Sequence, residues 1–273
     1  MNNAQGLAID AITLGLNTRV LGRRVVYRER IGSTNDLARE LADEGEPEGT
    51  VVIADDQSAG RGRLGRSWIA PACSSLLISL ILRPGATSPT MAFVLAPSQV
   101  ARVTMAISLG VCDAIRSETG LHPRIKWPND LLLAGKKFAG ILAESSISAD
   151  KIDYVIVGLG INVNFHAKSI IGLPPDATTI ADELGGPFSR ERLIHVILQR
   201  CESYYMRVYA GENLRDEWTL QLATLGQRIR VRTEAGIEEG IAERVEDDGA
   251  LLLRRTDGSI LKLVAGDVTL SQS

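Results

Sequence analysis

The most apolar stretch of the chain runs from Ser74 to Leu82, SSLLISLIL, and its length limits what it can be. Crossing a bilayer takes about 20 apolar residues in a helix. This run falls far short, and Pro84 and Gly85 close it, so residues 76–82 read as a β-strand. Segments of the same kind flank it: RVVY at 24–27 and TVVIA at 50–54 before it, and RIKW, DLLL, FAGILAE and DYVIVGLGINVN after it as short strands between turn residues. Helices alternate with them. In IGSTNDLARELADEG, Ser33 reads as the N-cap, Asp36 takes the third helical position, Leu37 and Leu41 share a face, and Gly45 marks the stop. Val100, Val103, Ile107, Val111 and Ala114 recur at helical spacing over 98–120, as do Leu193, Ile197, Cys201 and Tyr204 over 190–209. Up to about Ala223 the pattern predicts an α+β domain, a mixed β-sheet with packed helices.

After Leu225 the pattern changes. QRIRVR, EEGIAERV, ALLLRR, SILKLV and DVTL read as short strands with turns at Asp247-Asp248-Gly249 and Asp257-Gly258. They predict a small barrel-like second domain, dividing the chain into 1–223 and 224–273.

The 273 residues, 45% hydrophobic, suffice for one large core and a smaller one. A formal net charge of -3 argues against indiscriminate binding to DNA or an anionic membrane, which calls for a basic face or domain. Cys73, Cys112 and Cys201 lie far apart without a CxxC pair, so neither a disulfide framework nor a structural zinc signature is present. MNNAQGLAID lacks the basic segment, apolar run and cleavage site of a secretory leader, and the chain is expected to be cytoplasmic.

Against that acidic balance, AGRGRLGRSW at 59–68 puts three arginines and three glycines into ten residues. Gly60 to Ser67 nearly matches the phosphate loop GxxxxGK[ST], with Arg66 in the lysine position. Such a loop must open a helix, whereas Trp68, Ile69, Ala70 and Pro71 follow here. GLG at 158–160 makes no dinucleotide fingerprint, because the third glycine would fall at Val163 and the strand runs on. The remaining functional reading is an anion clamp. Gly60, Gly62 and Gly65 let the backbone close around a ligand, while Arg61, Arg63 and Arg66 offer forked donors to carboxylate or phosphate oxygens. Their mutual repulsion favours a loop that orders when an anion arrives. The plainer reading is a solvated basic turn paired with Asp55 or Asp56. Trp68 reads either as core or as a cover for an apolar ligand or an adenine ring.

KWPND at 126–130 sets a lysine, an indole, a proline, an amide and a carboxylate at a strand end, where polar groups without structural duty often meet a ligand. Asn129 and Asp130 suit Mg²⁺ or an adenosine hydroxyl, or merely a local Asn-Asp turn. Lys136 and Lys137 enter FAGIL close to Gly140, which puts one ammonium inside a cleft or leaves both in solvent.

Together, IGSTND (31–36), DDQSAGRGRLGRSW (55–68), KWPNDL (126–131), KKFAGILAE (136–144) and GLGINVN (158–164) resemble the successive catalytic-domain motifs of biotin protein ligases. LGQRIRVRTEAGIEEGIAERVEDDGALLLRRTDG resembles that family's SH3-like domain, so the resemblance covers nearly the whole chain. It implies a class II synthetase-like catalytic domain of biotin/lipoate ligase fold, followed by an SH3-like β-barrel. It also implies a two-step reaction. Biotin's carboxylate attacks the α-phosphate of Mg-ATP to give biotinyl-5′-adenylate and pyrophosphate. A lysine of a biotin carboxyl carrier domain, as in acetyl-CoA carboxylase, then takes the biotinyl group as an amide.

Carried over position by position, the resemblance implies that Ser33 and Thr34 bond the ureido ring of biotin, with Asn35 shaping their turn and Gln57 reaching the same end. Arg61, Gly62 and Arg63 would meet the carboxylate and phosphoryl region, and Lys137 the transferring phosphate or the biotin carboxylate. Gly140 would lend backbone groups at biotin, and Trp68 would cap the intermediate. Lys137, Arg61 and Arg63 are thereby the expected catalytic residues. On the ATP side fall Arg63, Arg66, Lys126, Asn129, Asp130, Lys137 and Asn162, with Asp130 open to Mg²⁺ only through Mg-ATP. The arginine loop then brings two anions together, stabilises developing charge and keeps water from a reactive anhydride.

The chain departs from the family pattern in two places. Many members carry an N-terminal winged helix-turn-helix domain and act as repressors; the stretch before Ser33 is too short for one, so no DNA partner is expected, and no membrane partner either. Ala72-Cys73-Ser74 stands where glycine and asparagine are common. A homodimer is left open. A lipoate ligase or octanoyl transferase shares the fold and the carrier chemistry and stands as the alternative, followed by a non-catalytic carrier-binding or nucleic-acid-binding module. GRGRLGR, KWPND and the second domain favour biotin.

Overall fold

Segments rich in Val, Ile and Leu pair into a seven-stranded sheet in the computed structural model, which describes residues 6–86, 94–233 and 236–270. In chain order the strands are β1 (Arg24–Ile31), β2 (Thr50–Gln57), β3 (Ser75–Leu82), β4 (Arg124–Lys126), β5 (Asp130–Leu133), β6 (Lys136–Ser148) and β7 (Lys151–Asn162). They lie in the order β1-β2-β3-β7-β6-β5-β4. β1 runs parallel to β2 and the other pairings are antiparallel, so the sheet is mixed. The apolar run SLLISLIL is β3, buried at every position between β2 and β7. The apolar run FAGILAE understates β6, whereas DYVIVGLGINVN has the length of β7 but lies two residues further along. These are 13 and 12 residues long, not short strands, and form one hairpin turning at Ala149 and Asp150, both at positive φ. Their outer parts, SSIS and KID, are mostly polar and so escape an apolar count.

The helices are α1 (Ile9–Thr13), α2 (Thr34–Asp43), α3 (Ala101–Thr119), α4 (Ile180–Leu184), α5 (Arg190–Tyr209) and α6 (Arg215–Gln221). α1, α4 and α6 are too short to leave a periodic signal. α3 starts later than its spacing suggests, because residues Pro97–Gln99 form a separate 3₁₀ turn, and it stops at Gly120 in the left-handed conformation. Ser33 holds the backbone position of an N-cap, but its side chain makes no capping hydrogen bond.

α3 and α5 cover one face of the sheet. Alternate side chains of β3 and β7, from Leu76 to Leu82 and from Val155 to Ile161, enter that core. Gly110 lets the two helices touch: a Cβ there would stand 2.6 Å from the Cα of Cys201. On the other face α2 packs Ala38 and Ala42 against Val52, Ile81, Tyr154 and Ile156. The inner ends of β6 and β7 on that face are left to a cleft.

The second sheet comprises β8 (Arg228–Thr233), β9 (Gly236–Val245), β10 (Leu251–Arg254), β11 (Ile260–Leu263) and β12 (Asp267–Leu270) in the order β11-β10-β9-β8-β12. It is a smaller antiparallel sheet whose ladder runs from β11 at one end to β12 at the other. Ile229, Val231, Leu251 and Leu253 join the main core. Trp127 links the two sheets, its backbone N–H donating to Thr224 Oγ1 and its indole N–H to the Gly249 carbonyl, each at 2.9 Å. Residues 1–5, read above for a leader, and 271–273, the end of the second domain, lie outside the described residues. Among the described residues, no helix is long and apolar enough to cross a membrane.

Candidate active site

The floor of the cleft is made where β6 and β7 carry glycine. Gly158 and Gly160 fall on the face of β7 that carries Ile156 and Asn162, and each admits a neighbour that a Cβ would exclude. At Gly158 that atom would stand 2.3 Å from Asn35 Oδ1; at Gly160 it would stand 2.5 Å from Trp68 Cε2. Asn35 therefore sits against the strand from the first turn of α2. Ser79 of β3 donates to its Oδ1 at 2.6 Å and lies 2.8 Å from Thr34 Oγ1. The backbone N–H and hydroxyl of Thr34 both donate to Gln57 Oε1, at 2.6 and 3.0 Å. Ser33, Thr34 and Asn35 are buried, so this end of the cleft is polar and nearly dry.

The arginine loop is a tight reversal. Trp68 N–H donates to the Gly60 carbonyl at 2.9 Å and Gly62 N–H to the Arg66 carbonyl at 2.7 Å. Leu64 and Gly65 turn the chain at φ of 55° and 72°. Gly60 is required by close approach, since a Cβ would stand 2.7 Å from the Trp68 carbonyl oxygen. A single 3₁₀ turn over Arg63–Gly65 replaces the long helix that a phosphate loop would open.

Each arginine has its own partner. Arg61 bonds Asp36 at 2.7 Å and Glu144 at 3.0 Å, Arg63 donates to Asn129 Oδ1 at 3.1 Å, and Arg66 bonds Asp267. The repulsion expected from sequence is thus offset by carboxylates from distant segments. Asp55 and Asp56 are not among them: Asp55 pairs with Arg190 and Asp56 with Arg30. Burial lowers the pKa of Arg63, while Asp130 and Asp267 act against that shift. Trp68 is half-buried and lies on the glycine floor rather than in the core.

Lys137 is brought to the cleft by a β-bulge in β6. Its Nζ lies 2.6 Å from Asp130 Oδ1 and 5.8 Å from the centre of the Trp68 ring. Its backbone also bonds the segment before α4, donating to Asp176 and accepting from Thr178, both at 2.8 Å. Lys136 instead stays exposed and pairs with Glu183. Asn129 is fixed by a 2.7 Å bond from Nδ2 to the Ile141 carbonyl. Asn162 donates to the Thr178 carbonyl at 3.0 Å. Its buried Oδ1 has no partner among the described residues, nor do Nε1 of Trp68 and Nε of Arg61.

The structure gathers onto this one cleft every residue to which the resemblance gave a binding or catalytic role. Ser33, Thr34, Asn35 and Gln57 come from α2 and β2; Arg61, Gly62, Arg63, Arg66 and Trp68 come from the loop. Lys126, Asn129, Asp130, Lys137, Gly140 and Asn162 complete the wall. Sequence reasoning missed two segments that also line it, Gly172 to Ala177 and Gly266 to Val268. Neither carries a local motif. The role of Gly158 and Gly160 was legible in principle, as two glycines at strand period on one face. Among the described residues no group of three His, Cys, Asp or Glu side chains gathers to hold a metal.

A mixed sheet backed by two helices, with a cationic loop over a glycine floor on its open face, defines the biotin/lipoate ligase class of fold. Residues 27–162 match the family model described as the biotin/lipoate A/B protein ligase family, and 224–271 match the biotin protein ligase C terminal domain. The chain is 34% identical over 267 residues to the bifunctional ligase/repressor BirA of Bacillus spizizenii, covering 97% of this chain and 79% of that protein. It is 35% identical over 236 residues to the biotin--[acetyl-CoA-carboxylase] ligase of Paracoccus denitrificans, covering 84% and 93%. The biotin protein ligase of Aquifex aeolicus, solved in complex with biotin and ATP, superimposes with a TM-score of 0.72 at 26% identity, over 92% of this chain and 100% of that one. The chain belongs to the biotin protein ligase family and is an enzyme of that family.

Proposed function

We propose that the chain forms biotinyl-5′-adenylate from biotin and ATP and passes the biotinyl group to a lysine of a biotin carboxyl carrier domain. One observation carries the reading: a single cleft has an amide and hydroxyl end, with Thr34 and Asn35 buried and Gln57 half-buried, and a cationic part at Lys137 and Arg63. Biotin has that polarity, with a neutral ureido ring at one end and a carboxylate at the other. The dithiolane of lipoate would leave the buried polar end unpaired, which is the costlier mismatch.

In the first step a biotin carboxylate oxygen attacks the α-phosphorus and the bond to pyrophosphate breaks. Charge grows on the non-bridging oxygens, and Lys137 and Arg63 are assigned to it. In the second step the neutral amine of the carrier lysine attacks the anhydride carbonyl, AMP leaves, and the nitrogen gives up a proton. Arg61 is assigned to holding the loop over the intermediate, Trp68 to covering it, and Arg66, Lys126, Asn129 and Asn162 to ATP. Asp130 already faces the Lys137 ammonium and Asp267 the Arg66 guanidinium. These carboxylates do not fit a resident Mg²⁺, so the ion belongs to the reaction only as the counter-ion that ATP brings.

The test is isotope exchange between pyrophosphate and ATP without any carrier. Biotin is expected to support it and lipoate not; the reverse result overturns the proposal. A mass shift on a purified carrier domain with biotin, ATP and Mg²⁺ then checks transfer. We assign the reaction to the cytoplasm, which three free cysteines support, and no partner role to DNA. Duplex DNA in about 0.15 M salt should bind no better than the usual non-specific level in a gel shift.

A further inference from the structure

The outward face of the C-terminal sheet carries a pattern that its own fold does not use. Register sets Arg228 of β8 opposite Ile241 of β9, Ile241 opposite Arg254 of β10, and Arg254 opposite Ile260 of β11, so the four share one row. Four residues along β8, Arg232 stands between Ile237 on one side and Asp267 on the other. The isoleucines are bare for their size: Ile237 is 56% exposed, Ile260 44% and Ile241 38%. Arg230 pairs with Glu239 and Arg254 with Glu243. Arg228 and Arg232 are exposed and have no carboxylate partner among the described residues. Their Cα atoms are about 13 Å apart at four strand residues.

Exposed isoleucines set beside arginines, two of which have no carboxylate partner among the described residues, mark a surface built for an acidic partner, not a merely solvated face. Two copies meeting symmetrically through this face would set arginine against arginine. A nucleic acid would call for exposed aromatics, and the row offers isoleucine instead. Position narrows the partner further. Asp267, beside Arg232 in register, bonds Arg66 and lines the cleft, so the surface runs to the cleft mouth.

We infer that this face docks the carrier domain that accepts the acyl group, with carrier carboxylates meeting Arg228 and Arg232 and apolar carrier residues resting on Ile237 and Ile241. The inference rests on the ligase reading above. Failure of biotin-dependent pyrophosphate exchange in the unaltered protein would strike that reading, whereas the following experiment strikes only this one. The double variant Arg228→Glu, Arg232→Glu should raise the KM for a purified carrier domain by roughly tenfold at low salt and flatten its salt dependence. Carrier-independent pyrophosphate exchange should stay at the parent level. If exchange falls in parallel, the milder pair Arg228→Gln, Arg232→Gln decides by the same two measurements. An unchanged carrier KM with intact exchange overturns the inference. So does a dimer of the parent protein in sedimentation that the double variant dissociates, since the face would then belong to a second copy.

Discussion

Lys137 and Gly140 lie three positions apart on one strand, yet both face the same cleft. In a regular strand an odd spacing sends two residues to opposite faces. Here β5 and β6 slip register between Leu131 and Leu132, which stand opposite Ala139 and Lys137, so Phe138 is the extra residue. Phe138 and Ala139 both turn to the helical core, and Lys137 returns to the cleft side. A Cβ on Gly140 would stand 3.5 Å from Lys137 Nζ and 3.3 Å from Trp68. The bulge thus sets an ammonium beside the glycine floor, and bulges of this kind recur where a strand must re-aim a side chain at a site.

Lys137→Ala should mainly slow adenylate formation. Removing one donor aimed at developing charge costs about 100-fold in rate. Pyrophosphate exchange at saturating biotin and ATP measures it, and an unchanged maximal rate with a raised KM would assign Lys137 to ground-state binding instead.

Arg61→Ala should loosen the loop. Its guanidinium ties the loop to α2 through Asp36 and to β6 through Glu144. Biotin binding should weaken, and released adenylate should label lysines of bystander proteins, a signature that slower catalysis alone does not produce. Adenylate formed, adenylate released and bystander biotinylation are compared; retention equal to the parent removes the retaining role from Arg61.

Gly160→Ala should disturb Trp68 while leaving the sheet paired. The added methyl would meet the indole at 2.5 Å, and the ring rather than the central strand has room to give. Biotin affinity is expected to fall by about tenfold, in line with 1–3 kcal/mol for overpacking. Tryptophan fluorescence with and without biotin reads the displacement directly, and parent-like affinity would show that the indole does not bear on biotin.

Asp55→Ala should destabilise the fold rather than the chemistry. Its carboxylate accepts from Arg190 at 2.6 Å, Tyr27 Oη at 2.5 Å and Leu7 N–H at 2.9 Å, all within a buried site. Removing one partner of a buried ion pair costs about 3–5 kcal/mol, to be read from urea denaturation. Burial and then the Asp55 carboxylate push the Tyr27 phenol above its ordinary pKa, so its titration should move down toward the ordinary phenol value in the variant. A parent-like unfolding midpoint would contradict this account.

Much of this protein was determined by its sequence alone. The apolar run at β3, the spacing in α3 and α5, and the shift to short strands after Leu225 reflect local periodicity, which burial on one face imposes and which a chain shows without being folded. The cleft residues that sit in short polar motifs, such as Ser33 to Asn35, Arg61 to Trp68 and Lys126 to Asp130, were likewise legible, whereas Gly172 to Ala177 and Gly266 to Val268 were not. The tertiary structure alone decided what depends on register and long-range contact. No period marks the slip that turns Lys137 to the cleft, the glycine gap that admits Trp68, or the partners that meet the arginines from other segments, Asp36 and Glu144 for Arg61, Asn129 for Arg63 and Asp267 for Arg66. Gly266 to Val268 reaches the cleft from the second sheet for the same reason: contact between residues distant in sequence follows from how the sheets pack, and packing leaves no trace in any one segment.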